Sequence, residues 1–168
     1  IELQNGAKPV AMLTGQPEQH YLLSGSGGYG FIAKLGDMVG RVKAGKVVMT
    51  VDSGETVLPP IAVYASSLIN PDCKIVLASS DHRLLAFSIG ELKVMPKGRG
   101  LQLMSLTDGA SLEHVLVTMS AEFIVETVGK RGAAHQEKLR ICDIDGKRGK
   151  KGKVLEISGR LKTIKAGD

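Results

Sequence analysis

The stretch GGYGFIAKLGDMVGRVKAGKVVMTV, residues 27–51, lies over a second stretch, DHRLLAFSIGELKVMPKGRGLQLMSL, residues 81–106. Leu35-Gly-Asp-Met38 falls on Ile89-Gly-Glu-Leu92, and the turn Lys43-Ala-Gly45 falls on Lys97 to Gly100. A third, more degenerate copy opens with EFIVETVGKRG at Glu122 and closes in GKRGKKGKVLEI at Ile157. The corresponding glycines are Gly45, Gly100 and Gly152, spaced by 55 and 52 residues. Periods near 50 residues with about four short strands each mark propeller-like blades. The expected class is all-β: about three repeated antiparallel blades, with repeats near 21–70, 74–118 and 121–164.

The apolar runs agree with that class. Tyr21–Leu23, Phe31–Leu35, Lys46–Val51, Lys74–Ala78, Leu84–Ile89, Leu101–Leu106, His114–Thr118, Phe123–Thr127 and Val154–Ile157 are short, rich in Val, Ile, Leu and Met, and separated by Gly, Asp and Ser. Such runs read as strands joined by hairpins. Helix is expected only as single turns near Asp37–Val39, Glu91–Val94 and His135–Leu139, because 21 glycines burden anything longer.

Composition narrows the function. Apolar residues make up 43% of the 168, aromatics only 4%, and tryptophan is absent, so the core must be aliphatic. Cys73 and Cys142 lack CxxC spacing and read as buried free thiols. No apolar run approaches the ~18 residues of a membrane span. The chain starts at Ile1 in mid-pattern, without a capping or turn signal, as expected for a truncated piece. Net charge is +5, and residues 121–168, with twelve basic and seven acidic side chains, carry the whole excess. The positive field belongs to the C-terminal third.

The motifs for small-molecule chemistry fail on their context. Gly25-Ser-Gly-Gly-Tyr-Gly30 fits G-x-G-x-x-G, but it runs into a strand instead of opening the helix that a dinucleotide site requires. The Gly146–Lys153 block is not a Walker A loop, since no Ser or Thr follows any of its three Gly-Lys pairs. Ser80, Asp81 and His82 are neighbours on one turn and cannot converge as nucleophile, base and orienter. His20, His82, His114 and His135 are scattered singly. No catalytic, cofactor or metal residue is expected in the chain.

What repeats is a basic turn before an apolar strand: Arg41, Lys43 and Lys46 in the first unit, Lys97 and Arg99 in the second, Lys147, Arg148, Lys150, Lys151 and Lys153 in the third. Lys130 and Arg131 add to the last unit, and nine basic residues face three acidic ones between Gly129 and Lys153. Blades set equivalent turns around one rim, so these twelve cations are the candidate contacts to a phosphate backbone. A protein-interaction propeller with a merely solubilising basic block is the rival from another class.

Gly28-Tyr-Gly-Phe31, Lys43-Ala-Gly-Lys46, Leu58-Pro-Pro60 and the final basic block resemble the C-terminal domain of the DNA topoisomerase IV A subunit, a relative of the gyrase A subunit, and the resemblance covers essentially the whole chain, 1–168. It implies a β-pinwheel that binds and bends double-stranded DNA along a positive outer rim, in a cytoplasmic, nucleoid-associated bacterial enzyme. It also implies that the active-site tyrosine lies elsewhere in the A subunit, so Tyr21, Tyr29 and Tyr64 are not that nucleophile. ATP and magnesium would act through the B subunit of an A2B2 holoenzyme in which the A subunit is a homodimer. The glutamine-arginine-arginine-glycine-glycine-lysine-glycine box of gyrase, which lets DNA wrap fully, does not occur here, and the worn third repeat favours topoisomerase IV over gyrase.

Overall fold

The computed structural model describes residues 8–157 and 159–167. The first unit contains strands β1 (His20–Ser24), β2 (Tyr29–Lys34) and β3 (Ile61–Val63), with the one-turn helices α1 (Leu35–Met38) and α2 (Ala65–Leu68). The second contains β4 (Lys74–Ser79), β5 (Arg83–Ser88), β6 (Leu101–Gln102) and β7 (Leu112–Thr118). The third contains β8 (Glu122–Val128), β9 (Ala134–Arg140), β10 (Lys153–Val154) and β11 (Arg160–Ala166). A 3₁₀ turn follows β5 at Ile89–Glu91 and another follows β9 at Ile141–Asp143.

These strands form three antiparallel sheets, ordered β3-β1-β2-β6, β10-β5-β4-β7 and β11-β8-β9. Sheets and sequence repeats do not coincide. The second unit donates β6 to the edge of β2 (Gly30 opposite Leu101), and the third donates β10 to the edge of β5 (Leu84 opposite Lys153). Each unit is therefore tied to its neighbour by backbone hydrogen bonds as well as by packing.

The burial patterns show where the cores lie. β2 and β5 are buried along four consecutive residues, because apolar cores press on both faces of the first two sheets. β8 alternates strictly, with Phe123, Val125 and Thr127 turned inward, because the third sheet is covered on one face. One core, holding Leu22, Ile32, Ile75, Leu77, Leu85 and Phe87, fills the space between the first and second sheets. A second, with Val76, Leu84, Ala86, Phe123, Leu161 and Ile164, fills the space between the second and third. Phe31 anchors a third on the far face of the first sheet. Each core thus holds one of the three phenylalanines, and none is measurably exposed.

Several local expectations are corrected. His135–Leu139 is not a helical turn but the middle of β9, its good helix formers overridden by a seven-residue ladder with β8. Lys46–Val51 is not a strand, and its ladder contact is the single bridge of Met49 to Gly98. The run at Leu101–Leu106 is strand only over Leu101–Gln102, and that at Val154–Ile157 only at Val154, which ends β10. β11 went unread because the register shifts between Leu161 and Thr163, so the inward Leu161 and Ile164 sit three apart and break the period of two. Cys73 is buried, and burial raises its thiol pKa against a smaller opposing effect from Ser67. Cys142 is exposed.

Candidate nucleic-acid interface

The glycine-rich stretch at Gly25–Gly28 is the tight turn of the β1–β2 hairpin. Gly25 N–H donates to the Tyr29 carbonyl at 2.9 Å, Gly28 takes φ +82°, and Gly30 lies inside β2, which runs on to Lys34, so no helix opens at the last glycine. The Ser80–His82 turn is equally structural. Ser80 Oγ accepts from Ser111 N–H, and the Asp81 carboxylate accepts from Ser79, Thr107 and Arg83. Burial alone would raise the Asp81 pKa, but the Ser79 and Thr107 hydrogen bonds, its own backbone and the Arg83 charge outweigh that and hold it below the ordinary carboxylate value. Among the described residues no three of His, Cys, Asp and Glu are grouped to hold a metal ion.

The basic turns are built by a repeated manoeuvre. After the 3₁₀ turn at Ile89–Glu91 the chain runs parallel to β2, with Ile32 N–H donating to Lys93 O at 3.1 Å and Met95 N–H to Ile32 O at 2.8 Å. It swings out through Lys97–Gly100 and returns antiparallel as β6. The third unit repeats this against β5: Ala86 N–H donates to Ile144 O (3.0 Å), Gly146 N–H donates to Ala86 O (2.8 Å), and the chain returns as β10. The turns at Lys97–Gly100 and Lys147–Lys153 are thus out-and-back excursions on the outer edge of the preceding sheet.

The reversal needs glycine. Gly100 and Gly152 have φ of +87° and +74°, and a Cβ on either would lie 2.2 Å from the Gly30 carbonyl oxygen or 2.4 Å from that of Leu84. Only a residue without a side chain brings the returning strand that close. Arg83 reinforces the end of the third turn by donating to Gly152 O at 3.4 Å while its Nε holds Asp81.

Successive turns are also linked through the segments between them. Gly98 N–H donates to Val48 O and Thr50 N–H to Gly98 O, both at 2.9 Å. One unit later Gly149 N–H donates to Leu103 O at 2.8 Å and Ser105 N–H to Lys150 O at 3.1 Å. Each basic turn rests on the segment that follows the turn before it. The turns at Arg41–Lys46, Lys97–Gly100 and Lys147–Lys153 therefore form one series along the sheet edges.

Within this series the cations differ in availability. Arg41, Lys43, Lys97, Lys147, Lys150 and Lys151 are exposed or half-buried and have no side-chain partner among the described residues. Four others serve the scaffold. Arg99 is ion-paired with Asp52 (2.8 Å) and donates to Glu55 (3.4 Å), and its guanidinium stacks 4.0 Å from the Tyr29 ring centroid. Arg148 donates to Gln102 O at 2.7 Å, Lys46 to Asp37 O and Lys153 to Asp143 O. Lys130 and Arg131 lie apart from the series, in the β8–β9 hairpin turn, and Lys130 lines a cavity between sheets. The residues that sequence reasoning missed are Glu91, whose carboxylate accepts from Arg148 N–H at 3.1 Å, and the Asp81 cluster, which buttress the third turn from more than 50 residues away.

No protein-family model matches the chain. The chain is 70% identical over 164 residues to the A subunit of DNA topoisomerase 4 from Neisseria gonorrhoeae, a match spanning 98% of the chain and 21% of that relative. With the corresponding DNA topoisomerase 4 protein of Escherichia coli K12 the identity is 27% over 175 residues, covering 98% and 22%. The chain belongs to the topoisomerase IV A-subunit family, as its C-terminal β-pinwheel domain. It spans about a fifth of the length of these curated relatives. In structure it is similar to the E. coli ParC C-terminal domain, with a TM-score of 0.83 at 24% identity, covering 97% of the chain and 66% of that domain. The DNA gyrase A C-terminal domain gives a TM-score of 0.71 at 18% identity, covering all of the chain and 56% of that domain. Membership of the topoisomerase IV family thus follows from sequence, and the β-pinwheel from structure. No described helix is long and apolar enough to cross a membrane.

Proposed function

We propose that this β-pinwheel binds duplex DNA without sequence preference along the series of basic turns, bends it, and presents it as the transported segment for ATP-dependent strand passage by a topoisomerase IV. The observation that supports this reading is the contact of each later turn with the segment that follows the turn before it, which links the three turns bearing six partner-free cations. Lys and Arg in such a row neutralise successive phosphates and release counterions, so affinity is steep in salt. Among the described residues no helix of more than one turn is available for the major groove, and the row bears no aromatic wedge, so shape and charge govern recognition. Bending a 20–30 bp site by 40–90° costs on the order of 1–6 kcal/mol, which the added phosphate contacts offset.

In this reading the chain works as part of an A subunit that dimerises and joins a B subunit supplying ATP and magnesium chemistry, and it acts at the nucleoid. Fluorescence anisotropy with a labelled duplex tests the DNA step. If all six free cations engage, log affinity falls with log salt at a slope of about −5. Reversing Lys147, Lys150 and Lys151 to Glu weakens binding roughly 10²-fold near 0.1 M salt and flattens the slope by about 3. Unchanged affinity and slope in that variant would overturn the assignment.

A further inference from the structure

A second positive region lies away from the basic series. The hairpin turns of the three sheets, represented by Ser26, His82 and Lys130, meet the first residues of β7 and β11 around a cavity of about 1170 Å³. Its walls are aliphatic, from Leu58, Leu112, Val128 and Leu161, and its charged lining is mostly cationic. Lys130, Arg160 and Lys162 face a single lining carboxylate, Glu113. Lys162 is paired with Glu126 at 3.1 Å, outside the cavity lining, whereas Lys130 and Arg160 have no ion-pair partner among the described residues. His114 is half-buried, and burial lowers its pKa, opposed by Glu113 and reinforced by Arg160.

We infer that this cavity is a binding site for a compact, multiply charged oxyanion of the inorganic oligophosphate class. The apolar walls, of low dielectric, focus the field of Lys130 and Arg160 in the concavity, which strengthens their attraction for an anion relative to the same charges on a flat surface. The volume is ample, since ligand sites run to about 300–1,000 Å³. No Phe, Tyr or Trp side chain lines it, so a nucleobase has no broad aromatic face to stack on and the recognised chemistry is the phosphate itself. The fold supports the assignment: Gly129 N–H donates to Ala133 O and Gly132 N–H to Gly129 O, closing the turn that holds Lys130, while β11 starts at Arg160.

Isothermal titration of the protein with tripolyphosphate at 0.15 M salt provides the test. Binding is expected to weaken at least tenfold in Arg160→Ala and in Lys130→Ala, and to persist within twofold in the basic-series variant Lys147→Ala/Lys150→Ala/Lys151→Ala. Both single changes fall at exposed side chains, and unshifted thermal unfolding of each variant confirms that the fold is kept. Absence of binding at millimolar tripolyphosphate, unchanged affinity in either cavity variant, or loss of binding in the basic-series variant would each overturn the inference. Loss in the last case assigns the anion to the duplex-binding surface instead.

Discussion

The turn at Arg41–Lys46 and the turn at Lys147–Lys153 share a sequence pattern and a left-handed glycine, with φ +80° at Gly45 and +74° at Gly152, yet they stand in different surroundings. A Cβ at Gly152 would strike the Leu84 backbone, whereas one at Gly45 would meet nothing within 4 Å. The later turn is clasped by β5, by Glu91 and by Arg83. The earlier one closes on itself, through Gly45 N–H to Val42 O and Lys46 to Asp37 O, and leaves Val42 and Val47 69% and 76% exposed. The repeat encodes the shape of the turn, and the neighbouring sheet supplies its rigidity.

The largest effect expected from that contrast is on stability. Gly152→Ala adds a left-handed penalty of ~1–2 kcal/mol and a steric overlap of ~1–3 kcal/mol, for a loss of about 2–4 kcal/mol in chemical denaturation. Gly45→Ala carries the first penalty alone, about 1 kcal/mol. Equal losses at the two glycines would erase the distinction between a clasped and an open turn.

A smaller effect belongs to Arg99, whose engagement with Tyr29, Asp52 and Glu55 makes it a clamp in the middle turn. Arg99→Leu is expected to cost about 1 kcal/mol of stability, while Lys97→Leu, at a cation without a partner, leaves stability within ~0.5 kcal/mol and lowers duplex affinity instead. An Arg99 variant of full stability and impaired duplex binding would move Arg99 from scaffold to contact.

The smallest effect is a pH dependence from Asp81, which supports the clasped turn through Arg83. The Asp81 pKa is lowered in the folded state, so the stability it contributes is present above the unfolded carboxylate pKa of about 4 and is lost as pH falls through its lower folded value. Asp81→Asn is therefore destabilised at pH 7 and converges with the parent protein at low pH. A constant difference between the two across that range would show that the loss is one of packing and not of charge.

Much of this was legible in the sequence because repetition displays it. The glycines at a period near 50 and the cations beside them identify the blades and the basic turns. The donated strands were harder to read, since β6 and β10 are two residues long and pair with a different unit from the one that encodes them. β11 was hidden by a bulge. Sequence proximity also misled: Lys130 and Lys147 belong to one dense basic stretch, but β9 and the following 3₁₀ turn carry the chain from the cavity to the sheet edge between them. Pairing of Arg99, Arg148, Lys46 and Lys153 could not be foreseen, because their partners are set by tertiary contacts and backbone carbonyls.

The central claim is that three turns from three units act as one continuous phosphate-binding path. Lysine acetylation footprinting, with and without a saturating duplex and read by mass spectrometry, tests it directly. The account predicts that Lys43, Lys97, Lys147, Lys150 and Lys151 all become protected together, while Lys130 and Lys162 at the cavity keep their reactivity. Protection restricted to a single turn, or spread equally to the cavity lysines, would contradict it.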